Sequence, residues 1–180
     1  MRAFVAIEVD DPSTSPIDTS GTRPPAHLTL RFFADVDARS VPTLVAAVRE
    51  ATVRVPVFDL TLEGVGAFPS RDAPRVVWVG VTEGRSSVRQ LADAISDALS
   101  RAGVPPERSE FVPHVTLFRV RSGRDRERAR RLLEGSEAAP ATRVVHVAQV
   151  LLKESTLTRE GPLHRTLERF PLAEAAAERP

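Results

Sequence analysis

Two copies of the pattern His-x-Thr-Leu hold half of the histidines in this sequence. His27-Leu28-Thr29-Leu30 recurs about half a chain later as His114-Val115-Thr116-Leu117, in a protein that has only four histidines. Imidazole titrates near neutral pH, so one histidine of a pair can remove a proton while the other delivers one. Threonine hydroxyls hydrogen-bond phosphate oxygens. The repeated pattern therefore indicates acid–base chemistry on a phosphate ester.

A β-strand would aim each motif in a defined direction, because side chains two residues apart point to the same face. The histidine and threonine of each motif then share a face, and the apolar residues turn to the core. Arg119, two residues beyond Leu117, is predicted to lie on the face of His114 if the strand continues. Its cation would stabilise charge on phosphorus in the transition state. The combination predicts phosphodiester hydrolysis without a metal.

Two other interpretations apply to the motif histidines. A single His-x-Thr in a strand is usually structural. Packing alone is a poor explanation for two copies of the motif at half-chain spacing. His27 and His114 can also be two ligands of zinc, although no Cys, Asp or Glu accompanies them at ligand spacing. The remaining histidines, His146 and His164, lack this context and are left out of the catalytic set.

Composition limits the class of protein. The 180 residues are 42% hydrophobic, which suits one domain with a sizeable core. No apolar run approaches the roughly 20 residues that span a membrane, and the first ten residues are typical of a strand rather than a signal peptide. The absence of cysteine excludes disulfides and thiolate metal sites. We therefore expect a cytoplasmic protein that does not associate with membranes.

The charge pattern leaves a nucleic-acid partner open. The net charge is only +1, but all of the 25 basic residues except Lys153 are arginine. A GC-rich genome explains this bias, and so does phosphate binding, for which the guanidinium fork is the better ligand. Arginines cluster after the second motif, at Arg119, Arg121, Arg124, Arg126, Arg128, Arg130 and Arg131. They form either a solvated helix face or a rim that meets RNA phosphates.

The hydrophobic pattern predicts ten elements in the order β, β, α, β, β, α, β, α, β, β. Helices are predicted over 40–52, 85–101 and 124–134, and residues 10–26 are predicted to form a loop. Strands are predicted at 2–9, 27–34, 53–65, 75–81, 110–118, 142–154 and 163–172. Each motif strand is followed by a helix and further strands, which is typical of an internal duplication. We expect one bilobal domain over 1–172, each lobe carrying one motif strand, and a frayed tail over 173–180.

Five stretches of the sequence resemble the 2H phosphoesterases, which are named for two His-x-Thr/Ser motifs. Within them, the sequence is similar to the RNA 2′,3′-cyclic phosphodiesterases, historically called 2′-5′ RNA ligases. The stretches are MRAFVAIEVD, HLTLRFFADVD, GVGAFPSRDAPRVVWVGV, FVPHVTLFRVR and LLKESTLTREGPLHRTLERFPL. Together they extend the resemblance over roughly residues 1–172.

The resemblance implies an α+β fold that is bilobal and duplicated, with two antiparallel sheets lining a central cleft and helices on the outside. It implies hydrolysis of an RNA terminal 2′,3′-cyclic phosphate to a 2′-phosphate, without metal or cofactor. His27 would be the general acid that protonates the O3′ leaving group, and His114 the general base that activates water. Thr29, Thr116 and Arg119 would bind the substrate phosphate. The partner would be RNA with such an end, including tRNA fragments, and we expect a monomer.

Two alternative functions use the same scaffold. The first is a 2′-5′ RNA ligase, or a phosphodiesterase acting on other cyclic phosphates or on 2′-5′ oligonucleotides. The second is a non-catalytic nucleotide-binding module. Both His–Thr pairs and Arg119 are present, which counts against the second alternative.

Three stretches depart from the family pattern. The family normally has a helix between the opening strand and the first motif, where residues 10–26 are predicted to be a loop. The usual Phe-Leu-Gly after the first motif is Phe32-Phe33-Ala34. Phe33 belongs either to the core or to the cleft surface, where a base can stack on it. His164 stands where the family often has tyrosine, either at the cleft rim or as a replacement for a structural aromatic.

Overall fold

A computed structural model of the chain describes residues 1–9, 26–107, 109–159 and 161–174. The loop predicted at 10–26 lies almost wholly outside this part, as do residues 175–180 of the predicted tail. The described strands are β1 (Arg2–Glu8), β2 (His27–Phe33), β3 (Phe58–Phe68), β4 (Val76–Val81), β5 (His114–Arg119), β6 (Arg143–Val147), β7 (Gln149–Leu157) and β8 (Pro162–Pro171). The helices are α1 (Val41–Thr52), α2 (Arg85–Arg101) and α3 (Gly123–Glu134).

All eight described strands belong to one antiparallel sheet, in the order β6-β3-β4-β5-β2-β1-β7-β8. The predicted α+β class is confirmed, but the two predicted sheets are joined. The junction is narrow, because β2 and β5 share a single registered pair, Leu28 and Val115. Each side of this junction holds four strands and one His-x-Thr-Leu motif. The duplication predicted from the sequence therefore corresponds to two half-sheets that meet at their motif strands.

The prediction of a single strand over 142–154 is wrong, because the segment forms two strands. It divides at Ala148 into β6, which pairs with β3 in one half-sheet, and β7, which pairs with β1 and β8 in the other. Both segments are apolar and β-branched, so their hydrophobic pattern carries no sign of the crossover. After β8, Ala173 forms a bridge to Pro56. The predicted domain limits of 1–172 stay a prediction.

The three helices pack on one face of the sheet and form the core with it. The predicted stripe on α2 is buried, since Val88, Leu91, Ile95 and Leu99 are each at most 1% exposed. Helix α3 begins with a capping box formed by Ser122 and Asp125, which satisfies backbone donors at its first turn. No helix among the described residues is both long and apolar enough to cross a membrane.

The opposite face of the sheet, hereafter the open face, carries no helix from the described core. Alternation places Leu28, Leu30, Val115 and Leu117 in the core beneath the helices, as the sequence predicts. The histidine and threonine of each motif are half-buried on the open face. The fold thus brings both motifs to the middle of one surface.

Candidate active site

The two motifs face each other across the junction between the half-sheets. Leu28 is the registered partner of Val115, and the strands run antiparallel. Extending that register by one residue in each direction sets His27 opposite Thr116 and Thr29 opposite His114. The four side chains therefore form the corners of a quadrilateral on the open face.

The two imidazoles occupy diagonal corners of this quadrilateral. Diagonal neighbours on paired strands lie about 7–8 Å apart, and directly opposite ones about 5 Å apart. A phosphate group placed between the strands can therefore have one imidazole on each side. Neither threonine hydroxyl has a hydrogen-bond partner among the described residues, so both are available to a ligand. His27, Thr29, His114 and Thr116 are thus brought together as the sequence predicts.

A β-bulge decides where Arg119 lies. Strict alternation would put Arg119 on the face of Leu117, in the core, rather than on the face of His114. The β4–β5 register shifts, so Thr116 pairs with Trp78 while Arg119 pairs with Val76, on the same face of β4. The extra residue returns Arg119 to the open face, where it is exposed. Arg119 makes no ion pair with a described carboxylate.

His114 is held as a neutral imidazole with one free nitrogen. Its Nδ1 lies 2.7 Å from the Val112 carbonyl oxygen, so Nδ1–H donates and Nε2 carries the lone pair. Burial lowers the pKa of His114, and the Arg119 charge lowers it further, against the opposing effect of the Val112 carbonyl. Such a histidine is suited to accept a proton at neutral pH.

Aromatic rings fix the position of His114. The ring of Phe68 meets it edge-on with centroids 4.9 Å apart, and the ring of Trp78 lies 6.0 Å away. Trp78 itself lies over Gly66 of the neighbouring strand, where a Cβ would come within 2.2 Å of the indole. The glycine therefore leaves the space in which Trp78 packs beside the imidazole.

His27 has a different neighbourhood, with a second histidine in it. The rings of Phe4 and His164 lie 4.9 and 5.2 Å from the His27 ring, and Phe4 meets His164 edge-on at 4.8 Å. Burial, together with the charges of His27 and Lys153, lowers the pKa of His164 to about 4 against the opposing effect of the Glu8 carboxylate. His164 is therefore neutral near pH 7. Its Nδ1 is buried and has no partner in the described part of the chain.

A buried ion pair lies beside these rings. Glu8 is the cross-strand partner of His27, and its carboxylate contacts the Lys153 ammonium. The Lys153 side chain is 6% exposed and that of Glu8 is 21% exposed. Sequence reasoning did not place His164, Glu8 or Lys153 in the site. The available signal was Lys153, the one lysine among the 25 basic residues.

The remaining sequence candidates lie elsewhere. Phe33 is 7% exposed and belongs to the core, whereas Phe32 pairs with Phe4 on the open face and is 37% exposed. His146 is exposed on β6 and pairs with Asp59.

Three of the arginines of α3 are paired with acidic side chains. Arg128, Arg130 and Arg131 form ion pairs with Glu127, Glu134 and Glu137, which favours a solvated helix face for this part of the basic run. The described ranges contain no group of three His, Cys, Asp or Glu side chains that could hold a metal ion.

Comparison with known sequences gives a family model and relatives whose names belong to the same family. The family model described as "2′-5′ RNA ligase superfamily" matches residues 4–156. A protein of Aeropyrum pernix named RNA 2′,3′-cyclic phosphodiesterase is 39% identical over 142 residues, which are 78% of each chain. A protein of the same name from Archaeoglobus fulgidus is 31% identical over 94% of this chain and 99% of its own.

Comparison with solved structures gives the same fold. A crystal structure from Thermus thermophilus has a TM-score of 0.73 at 22% identity, covering 98% of this chain and 100% of that one. Escherichia coli LigT complexed with 3′-AMP has a TM-score of 0.69 at 24% identity, covering 96% and 98%. At this identity the similarity shows the fold alone, a curled antiparallel sheet that forms a half-barrel cleft. The cleft predicted from the sequence is confirmed.

Proposed function

Because the chain belongs to the 2′-5′ RNA ligase superfamily, we propose that it hydrolyses 2′,3′-cyclic phosphates at RNA ends to 2′-phosphates. The observation that carries this proposal is the quadrilateral of two His–Thr pairs around the Leu28–Val115 junction. The named relatives are RNA 2′,3′-cyclic phosphodiesterases, which supports this reaction and an RNA substrate. The reaction needs one proton removed from water and one delivered to the leaving oxygen.

The base in this reaction is His114. Its Nε2 accepts a proton from a water molecule, whose oxygen attacks phosphorus on the side opposite O3′. The lowered pKa and the Nδ1–H bond to Val112 support this assignment, because both keep Nε2 unprotonated near neutral pH. Attacking and leaving oxygens in such a displacement lie roughly in line. The diagonal placement of the two histidines fits that requirement.

The acid is His27, which gives its proton to O3′ as the P–O3′ bond breaks. The products are a 2′-phosphomonoester and a free 3′-hydroxyl. His27 is then neutral and His114 is protonated, so a proton must return to His27 and leave His114 before the next turnover. With His114 assigned as the base, His27 is the histidine of the quadrilateral that remains to supply this proton.

The hydroxyls of Thr29 and Thr116 and the guanidinium of Arg119 bind the non-bridging oxygens. Negative charge grows on these oxygens in the transition state, and preorganised donors stabilise it. All three groups lie on the open face, and none is occupied by a described protein partner. This assignment requires no metal and no cofactor.

The physiological substrate in this proposal is a cleaved RNA, tRNA fragments included, and the protein acts as a cytoplasmic monomer. The absence of cysteine supports a reducing compartment. The ligase alternative would use the same four side chains in the reverse direction. The binding-module alternative is disfavoured because acid, base and phosphate ligands are all present on one face.

The first test is a metal-free assay on a short RNA ending in a 2′,3′-cyclic phosphate. With EDTA present, we expect complete conversion to the 2′-phosphate, identified by its resistance to enzymes that remove 3′-phosphates. The same RNA ending in a 3′-phosphate is the control and should stay unchanged. Nucleotide binding without turnover would favour a binding module, and joined RNA ends would favour ligation; either result would overturn the proposal.

Replacement of Arg119 by alanine is expected to lower kcat about 100-fold, because one donor to the transition-state oxygens is lost. It should also move the acid limb of the kcat/KM profile to higher pH. The Arg119 charge lowers the pKa of His114, so its removal raises that pKa. As pH falls, the neutral base is then lost earlier. A pH profile of kcat/KM measures the shift in the free enzyme.

Two further variants control this measurement. Arg119→Lys keeps the positive charge, so its acid limb should stay near that of the wild type. Arg121→Ala removes an exposed arginine two residues away and should leave the limb unchanged. An acid limb in Arg119→Ala that stays in place or moves to lower pH would contradict the assignment of His114 as the base.

A further inference from the structure

The open face next to His27 carries an exposed aromatic ring. Phe32 is 37% exposed, and it is the one aromatic side chain among the large hydrophobic residues that the described ranges leave exposed. It pairs in register with Phe4, whose ring lies 4.9 Å from that of His27. The ring of Phe32 therefore stands on the same face of the same half-sheet as the proposed general acid.

Arg2 holds a cation over this ring. Its Cζ, the central carbon of the guanidinium, lies 5.3 Å from the centroid of the Phe32 ring. Arg2 is exposed and makes no ion pair with a carboxylate in the described part of the chain. Because the ring of Phe32 is still 37% exposed with Arg2 over it, part of the aromatic surface is open to a ligand. We call these two side chains the Phe32–Arg2 platform.

An aromatic ring beside an arginine is a surface on which nucleic-acid bases stack. Proteins that bind single-stranded RNA place bases on exposed aromatic rings and on guanidinium planes. Every base has a π face, so such a surface tolerates all four bases. The other exposed large hydrophobic residues are aliphatic and offer no π surface: Val53, Val144, Leu157 and Leu163.

The chemistry of the proposed reaction sets the side of the cleft on which the nucleoside lies. Water activated by His114 attacks phosphorus opposite to O3′, and His27 protonates O3′. O3′ is an atom of the ribose, so the ribose lies on the His27 side of the phosphate. The rings of Phe68 and Trp78 lie beside His114, on the side from which the water approaches. The half-sheet of His27 therefore supplies the surface for the base.

The spacing along β2 suits one nucleoside. Thr29, which binds the phosphate in the proposed function, precedes Phe32 by three residues, and the bulge at Leu30 shortens the separation. At about 3.3 Å per residue, the two side chains lie roughly 7–10 Å apart along the strand. A ribose with its base spans a similar length, so a nucleotide with its phosphate at Thr29 can reach the platform.

We propose that the Phe32–Arg2 platform stacks the base of the nucleotide that carries the cyclic phosphate. The inference rests on the proposed function, because it takes the phosphate to lie between His27 and His114 with O3′ toward His27. Stacking does not read the edge of a base, so the enzyme accepts RNA ends of any sequence and favours purines by their larger ring area. Its substrates are then nucleotide 2′,3′-cyclic phosphates rather than cyclic phosphates of sugars without a base.

The first part of the test compares adenosine 2′,3′-cyclic phosphate with methyl riboside 2′,3′-cyclic phosphate, which carries a methoxy group in place of the base. We expect the wild type to favour adenosine about 10- to 100-fold in kcat/KM, the range for stacking of one base. The corresponding 2′-monophosphates, titrated by calorimetry, should show the same preference in Kd. The binding measurement does not need turnover, so it tests the platform even if the proposed reaction fails.

The second part uses Phe32→Leu, which keeps an apolar side chain and removes the ring. It should lower kcat/KM and affinity for the adenosine compounds about tenfold more than for the methyl riboside compounds. Phe32→Trp keeps a stacking surface and should retain the preference for adenosine. Leu163→Ala is the matched control, because Leu163 is 57% exposed on β8 of the same half-sheet but is not aromatic. It should match the wild type on both substrates.

The outcomes separate this inference from the proposed function. Equal kcat/KM and equal Kd for the two compounds in the wild type would overturn base stacking and leave the hydrolase intact. A preference that persists in Phe32→Leu would place the base elsewhere on the molecule, and equal losses on both substrates would limit Phe32 to a role in the fold; either result would overturn the platform. Absence of turnover, together with a Kd preference that Phe32→Leu abolishes, would overturn the hydrolase and support the platform.

Discussion

Replacement of either His27 or His114 by alanine is expected to lower kcat by about 10²- to 10⁴-fold, the range for a general acid or base. Each variant removes one of the two proton transfers and leaves the other group in place. Both imidazoles lie half-buried on the open face rather than in the core. The melting temperature should therefore change by only a few degrees. Rates on the cyclic-phosphate RNA and thermal unfolding measure the two effects.

His146→Ala is the matched control for these variants. His146 also lies on a strand, but it is exposed at the edge of the sheet and pairs with Asp59. Its replacement should leave the rate within about twofold of wild type. Activity near the wild-type level in either motif variant would rule out the two-histidine mechanism, provided that the variant is folded.

Replacement of Glu8 by alanine is expected to lower the free energy of unfolding by about 3 kcal/mol, the lower end of the range for breaking a buried ion pair. The change leaves the Lys153 ammonium, which is 6% exposed, without its carboxylate. Such a loss is a large share of the stability of a typical domain. Urea unfolding should show a lower midpoint with an unchanged slope.

Glu154→Ala is a closely matched control for Glu8→Ala. Glu154 is 22% exposed, nearly the same as Glu8, but its partner Arg165 is 73% exposed. An ion pair with a solvated partner contributes at most about 1 kcal/mol, so this variant should be nearly as stable as wild type. The double variant Glu8→Leu/Lys153→Met should recover most of the loss, because apolar groups can replace a buried pair. Equal losses in Glu8→Ala and Glu154→Ala would refute a role for burial.

The sequence predicted that each histidine shares a face with the threonine of its motif, because this placement depends only on local alternation. His27 and Thr29 are separated by a core residue, and so are His114 and Thr116, which fixes their faces once each segment is a strand. Arg119 lies on the same face as His114, as predicted. Its position depends on a β-bulge at Leu117, however, which simple alternation does not reveal. The same kind of bulge at Leu30 puts Phe32, rather than Phe33, on the open face.

Features that depend on long-range pairing could not be predicted from the sequence. The segment at 142–154 has one continuous strand pattern, yet it crosses from one half-sheet to the other at Ala148. This crossover brings Lys153 of β7 next to Glu8, and it brings the next strand, β8, next to Phe4. His164 enters the site for the same reason. Its proximity to His27 depends on the strand order, which no local pattern records.

The same crossover determines when the protein can fold during its synthesis. Strand β1 precedes every other described strand in the chain, whereas its neighbour β7 is followed only by β8 among them, and Glu8 and Lys153 are 145 residues apart. At about 5–20 residues per second, a ribosome needs roughly 7 to 30 seconds to make the chain between them. During that interval one edge of β1 lacks its permanent partner, and apolar strand edges of this kind promote association between chains. The nascent chain thus has to keep β1 from pairing wrongly until β7 has also been made.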